Sequence, residues 1–332
     1  MNIRPPTPAP PGPQRVLLFG ASGTIGRAVA AALVDEGHEV TCFLRPPAHL
    51  SVPAARIVHG EATDPAALAQ SVFATAQFDV VISCLASRSG TPRDAWLVDY
   101  AANSRVLKAA VAAGVRHMIL LSAICVQKPR LAFQHAKLAF ERELMEAGLR
   151  WSIVRPTAFF KSLSGQVERV HDGKPYLLFG DGQLTACKPI SDADLAGYIA
   201  GCITAPERWD RILPIGGPGP AITPLEQGEA LFALLGRAPR YRRVPMRLMD
   251  GIIGLLDLLG KVSQKAADKA EYARIGRYYA TESMLVWDAA SGEYRTDLTP
   301  ETGSDTLFDH YARLTKSTGN GPANAPNAAT PI

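Results

Sequence analysis

The stretch Val16–Gly26, VLLFGASGTIG, decides the reading of this chain. Val16 to Phe19 are apolar without alternation, the pattern of a strand covered on both faces by helices, as in a parallel sheet. After Gly26, residues Ala28, Val29, Ala32 and Leu33 recur at helical spacing until Gly37 ends the run. Gly20, Gly23 and Gly26 therefore fall on a strand-to-helix turn. In such a turn, backbone N–H groups and the helix dipole can receive a pyrophosphate. Gly20 would permit the tight turn, Gly23 the approach of phosphate, and Gly26 the close packing of helix on strand. Ser22 and Thr24 would add hydroxyl donors, and Ile25 belongs to the same cofactor-contacting turn. The spacing is G-x-x-G-x-x-G, which differs from the general G-x-G-x-x-G fingerprint.

Working outward, strands are expected at Glu39–Leu44, Arg56–His59, Asp79–Cys84, His117–Leu121 and Trp151–Arg155, with helical segments between them. That alternation implies right-handed crossovers and a Rossmann-like, doubly wound parallel sheet. The expected division is a Pro-rich disordered arm (1–14), a nucleotide-binding domain (15–157), a smaller C-terminal substrate lobe (158–315) and a disordered tail (316–332). The substrate lobe is expected to return in part to the sheet. FGDG at 179–182 reads as a hairpin turn between PYLLF and QLTAC. Ser191 and Asp194 read as a capping box.

With 332 residues, 47% hydrophobic content and a net charge of +4, the composition is that of a soluble enzyme and argues against dedicated nucleic-acid binding. Five scattered cysteines show no metal-ligand spacing and read as buried free thiols in a reducing, cytoplasmic setting. No signal peptide or transit helix is expected in the first residues, and no run approaches a transmembrane length. Arg237, Arg240, Arg242, Arg243 and Arg247 read as a solvated loop. LMDGIIGLLDLLG, just beyond, reads as a pocket wall or dimer face, with peripheral membrane contact the lesser alternative.

The second strand ends at Arg45-Pro46, with no Asp or Glu at 43–47. An Arg in that place suits a 2′-phosphate, so NADPH is expected over NADH. The alternative is an ordinary exposed strand end. Cys84, Leu85 and Ala86, leaving the fourth strand, should pass along the cofactor, and Pro156 lies where an open sheet binds ligands. Phe159 and Phe160 sit together just beyond. Only one can easily point into the core, so a large flat apolar substrate is expected for the other.

The glycine spacing resembles the short-chain dehydrogenase/reductase superfamily, particularly its extended and atypical members. That resemblance implies a Ser after the fifth strand and a Tyr-x-x-x-Lys pair on the next helix. Ser122 and Lys137 match as catalytic and cofactor-binding residues, but Phe133 stands in place of the Tyr. It also implies that Glu61 contacts the adenine. Without the Tyr, simple alcohol or ketone chemistry lacks its proton partner. Carbon–carbon double-bond reduction or a non-catalytic NADPH-binding regulator or assembly factor remains.

LLSAICVQKP, SIVRPTAFFKSLSGQVE, DGKPYLLFGDGQLTACKPIS, LPIGGPGPAITPLEQGE and IGRYYATESML resemble the divinyl (proto)chlorophyllide 8-vinyl reductases, from about residue 15 to 315. This family is itself similar in having Phe at the Tyr position. The resemblance implies an NADPH-dependent enzyme of bacteriochlorophyll synthesis that reduces the 8-vinyl group of a Mg-tetrapyrrole to ethyl. Lys137, Tyr278, Tyr279 and water are the candidate proton donors. Arg155, Lys161 and the 237–247 arginines are candidates for a pigment propionate. An isoflavone-reductase-like double-bond reductase is a further alternative.

Overall fold

The computed structural model of the chain describes residues 12–318. The arm and tail expected at the ends lie outside it for residues 1–11 and 319–332. Gln14 is already buried, its amide donating to His38 Nδ1 at 3.1 Å. At the other end, the helix Leu307–Thr318 runs past Lys316, the expected start of the tail.

In chain order the strands among the described residues are β1 (Arg15–Phe19), β2 (Glu39–Leu44), β3 (Arg56–His59), β4 (Val80–Ser83), β5 (His117–Leu121), β6 (Arg150–Pro156), β7 (Tyr176–Phe179), β8 (Arg211–Ile215), β9 (Tyr241–Val244), β10 (Val286–Asp288) and β11 (Glu293–Arg295). Seven form one parallel sheet in the order β3-β2-β1-β4-β5-β6-β8. The order reverses between β1 and β4. Such a switch point opens a crevice beyond the carboxyl ends of the strands, because the flanking connections leave to opposite faces. The uninterrupted apolar runs are explained by burial on both sides: Val16, Leu17, Leu18 and Phe19 are all enclosed.

On one face, helix Thr24–Asp35 turns Val29, Ala30 and Leu33 inward and packs on helix Asp192–Gly201, which offers Leu195, Ala196, Ile199 and Ala200. On the other face, helices Asn103–Ala112 and Ala132–Glu146 cover Leu17, Val81, Leu120 and Ile153. Each fully enclosed leucine contributes roughly 1.5–3 kcal/mol. No described helix is long and apolar enough to cross a membrane.

Residues 192–215 rejoin the sheet, so the later half of the chain supplies both an outer helix and the seventh strand. The hairpin expected around FGDG does not form. Gly180 and Gly182 do turn the chain, with φ of +62° and +84°, but β7 pairs in parallel with β9. The residues after the turn lead instead to Cys187, which bridges singly to Ile222 and Met284. Ser191 caps its helix as expected, accepting from the Asp194 amide at 3.0 Å. The Asp194 carboxylate, however, accepts from the Asp305 amide rather than closing a reciprocal box.

Candidate active site

The glycine turn has the geometry its spacing suggested. Gly20 has φ +79°, and a Cβ there would stand 2.5 Å from the Cys84 carbonyl oxygen. A Cβ on Gly26 would stand 2.2 Å from the Gly20 oxygen, so no larger residue fits without moving the backbone. Gly23 is looser, with its nearest neighbour at 3.3 Å, and it occupies the N-cap of helix Thr24–Asp35 with no side-chain cap. The first-turn amides of Thr24, Ile25 and Gly26 thus carry the helix dipole without a side-chain acceptor from the cap. Ser22 is exposed beside them, while the Ile25 side chain is in the core, leaving its amide as the polar group it could offer. The donor set and bare backbone fit a dinucleotide pyrophosphate.

One cation arrives here that local sequence did not place. Lys161 Nζ donates to Thr24 Oγ1 at 2.9 Å, bringing positive charge to the helix N-terminus from the far side of the crevice. Arg45 is exposed at the end of β2, and its guanidinium has no protein partner among the described residues. Glu61 is likewise exposed, just after Gly60, where a Cβ would meet the Phe43 ring at 2.6 Å.

Beside the turn, at the carboxyl ends of β4, β5 and β6, lies a mostly apolar cavity of about 370 Å³. Its walls include Cys84 and Ala86 after β4, Ser122 after β5, Pro156 at the end of β6 and Phe159 beyond it. Leu85 lies between the first two but packs against the core. Burial pushes the Cys84 thiol up to about 12, so it is neutral rather than nucleophilic. From the C-terminal half come Tyr272, Ile275, Tyr279 and Met284.

Helix Ala132–Glu146 presents Phe133 and Lys137, one turn apart, to this cavity. Lys137 Nζ lies 2.9 Å from Asp99 Oδ1, with the two side chains 11% and 0% exposed. Asp99 Oδ1 also accepts from the Ser87 amide at 3.3 Å, whereas Asp99 Oδ2 is buried without a partner. Asp99 was not visible as a site residue in the sequence. It lies on a short π-helical stretch, Trp96–Ala102, and the one local sign is Asn103 four residues on, whose amide donates to the Asp99 carbonyl. Arg88 is likewise unmarked in the local sequence. It lines the cavity, is exposed, and has no protein partner among the described residues.

Four expectations change. The Ser122 hydroxyl donates to Glu141 Oε1 at 2.5 Å, and Glu141 is held in turn by Arg155. Ser122 therefore borders the cavity while its hydroxyl is engaged outside it, and Arg155 is committed to a buried carboxylate. Phe160 is 3% exposed and packs 5.4 Å from the His310 ring, so it belongs to the core; Phe159 alone faces the cavity. Tyr278 donates to the Cys125 and Lys128 carbonyls at 2.8 and 3.1 Å and does not line the cavity. Of this adjacent pair it is Tyr279 that lines the cavity, and among the described residues its hydroxyl has only the Cys125 sulfur at 3.8 Å. Burial holds its pKa well above the ordinary value.

The segment 248–260, expected as a pocket wall or dimer face, contributes nothing to the cavity. Arg242 and Arg243, expected in a loop, lie on β9.

Comparisons with known proteins agree with this geometry. The NAD(P)H-binding family matches residues 20–206. A divinyl chlorophyllide a 8-vinyl-reductase, chloroplastic, of Oryza sativa subsp. indica is 50% identical over 320 residues, covering 92% of this chain and 79% of the relative. Its namesake in Arabidopsis thaliana is 47% identical over 317 residues, covering 90% and 76%. Among solved structures, the NADPH-dependent quinone oxidoreductase of Escherichia coli in complex with NADPH superposes with a TM-score of 0.66. It is 17% identical, covers 90% of this chain and 99% of that one, and so shows the shared fold. From the matched span and from the identity to these reductases, the chain belongs to the divinyl chlorophyllide a 8-vinyl-reductase family, within the NAD(P)H-binding proteins.

Proposed function

We propose that this chain reduces the 8-vinyl group of a divinyl chlorophyllide or protochlorophyllide to ethyl, with NADPH as reductant, in chlorophyll-type pigment synthesis. The observation that carries the reading is the mostly apolar cavity at the carboxyl ends of β4, β5 and β6, whose wall residue Cys84 abuts Gly20 of the glycine turn, with Lys137 in its wall and Phe133 one turn before it. When bound, NADPH supplies a hydride for an electron-poor carbon–carbon double bond.

The chain's own residues do the rest. Amides of the Gly20–Gly26 turn hold the pyrophosphate, and Lys161 adds charge there. Arg45, with no carboxylate nearby in sequence, favours a 2′-phosphate. Lys137 holds a proton at Nζ on the cavity wall, and Asp99 fixes its orientation. Lys137 is thus the proposed proton donor, with Tyr279 the second candidate. Phe133 and Phe159 offer flat apolar surface to a macrocycle, and Arg88 offers an unpaired cation to a pigment carboxylate. Exclusion of water and a fixed orientation of the reactants can lower the barrier by up to roughly 7–11 kcal/mol. The reaction is assigned to the cytoplasm, a compartment suited to five unpaired thiols.

The test is spectroscopic. Purified protein, NADPH and divinyl chlorophyllide should give a blue shift of the Soret band as vinyl conjugation is lost. An unchanged band, under conditions where NADPH demonstrably raises the melting temperature, would refute the reductase reading while leaving cofactor binding intact.

A further inference from the structure

Helix Met246–Gly260 has no buried residue. It lies against helix Gln264–Thr281 through the half-buried Met249, Ile253 and Leu256. Its two acidic residues are consumed in that contact, Asp250 pairing with Arg277 and Asp257 with Arg274. The opposite side is apolar. Leu248, Ile252, Leu255, Leu259 and Val262 recur at alternating steps of four and three, with Leu258 alongside, and exposures reach 60% at Leu255, 61% at Leu258 and 88% at Val262.

The chain flanking this stripe is basic. Arg242, Arg243, Arg247, Lys261 and Lys265 are exposed and make no ion pair among the described residues. The helix carboxylates are paired with arginines of the neighbouring helix, so the charges left unpaired in residues 242–265 are all positive. A leucine-rich stripe beside unpaired arginines and lysines matches a helix that lies in a lipid headgroup region. A second copy of the chain matches it less well. Antiparallel pairing of two such stripes would bring Arg247 of one against Lys261 of the other.

We infer that residues 242–265 form a docking surface for an anionic lipid bilayer, with helix Met246–Gly260 lying in the plane of the interface. The inference does not depend on the reaction assigned to the cavity, because neither pigment nor turnover enters its test.

The full-length protein is floated with vesicles of phosphatidylglycerol and phosphatidylcholine, and separately with phosphatidylcholine alone. Flotation is expected with the anionic vesicles and should weaken with salt. Arg242→Gln and Arg243→Gln should each lower the partition coefficient about fivefold. The paired change Leu255→Ser, Leu258→Ser should lower it at least about tenfold. The NADPH-dependent rise in melting temperature should persist in all of these variants. No flotation, equal flotation with neutral vesicles, or flotation untouched by the leucine changes would overturn the inference. So would a stable dimer by light scattering that the leucine changes convert to monomer without any lipid binding.

Discussion

Replacing Lys137 by Met isolates the buried pair at the centre of the cavity. At 2.9 Å, and with an effective dielectric constant of about 20, the two charges attract by about 6 kcal/mol. Much of that offsets the desolvation of both groups. Removing one partner still leaves an uncompensated charge, which costs about 3–5 kcal/mol. Asp99 has little to fall back on: one long contact from the Ser87 amide, and an Oδ2 already without a partner. Lys137→Met should therefore lower the urea-unfolding free energy by about 3–5 kcal/mol at neutral pH. The double variant Lys137→Met, Asp99→Leu should recover most of that loss, giving a coupling energy of about 3 kcal/mol. Activity should not recover with stability, since the proton at Nζ is gone. Strict additivity of the two single changes would refute the buried-pair reasoning. Full turnover in the stabilised double variant would remove Lys137 from the chemistry.

Other outcomes follow from the same geometry. Arg45→Ala should cut the preference for NADPH over NADH by about ten- to a hundredfold, read from the ratio of kcat/KM values; an unchanged ratio would show that Arg45 does not read the 2′-phosphate. Gly26→Ala should prevent normal folding, with a Cβ 2.2 Å from the Gly20 oxygen, whereas Gly23→Ala should fold and raise the KM for NADPH. Equal melting temperatures for the two variants would contradict this division of roles. His117 is 2% exposed and hydrogen-bonded to Ser152 Oγ, and burial, with Arg150 nearby, pushes its pKa down to about 3. The unfolded chain takes up that proton near pH 6.5 and the folded chain does not. Stability should hence be full above about pH 6.5 and fall between there and pH 3, by up to about 4 kcal/mol. Titration of the unfolding free energy should show a flatter profile in His117→Phe.

What the sequence disclosed was local. Val16–Gly26 carries strand, turn and helix within eleven residues, so its geometry follows from neighbours in the chain. Phe133 and Lys137 share a helix face by spacing alone. Asp99 lies thirty-eight residues before Lys137 on another element, and Asn103, the one local sign, does not point to Lys137. Adjacent Phe159 and Phe160 implied one inward and one outward ring, but His310, a distant residue, settles which. The β7–β9 pairing joins segments some sixty residues apart, and no turn chemistry announces a parallel partner. Likewise, the period of 246–260 was plain, whereas the side taken by helix Gln264–Thr281 was not.

The seventh strand has a consequence for any attempt to cut this protein into working parts. β8 bonds along β6 from Ser152 to Pro156, and the segment just before it shields helix Thr24–Asp35. A fragment ending near residue 157 would bare a row of amides and carbonyls on β6 and strip one flank of the nucleotide-facing helix, an invitation to aggregation. Recombining the front of this chain with another reductase's rear would thus require transplanting 192–215 along with it.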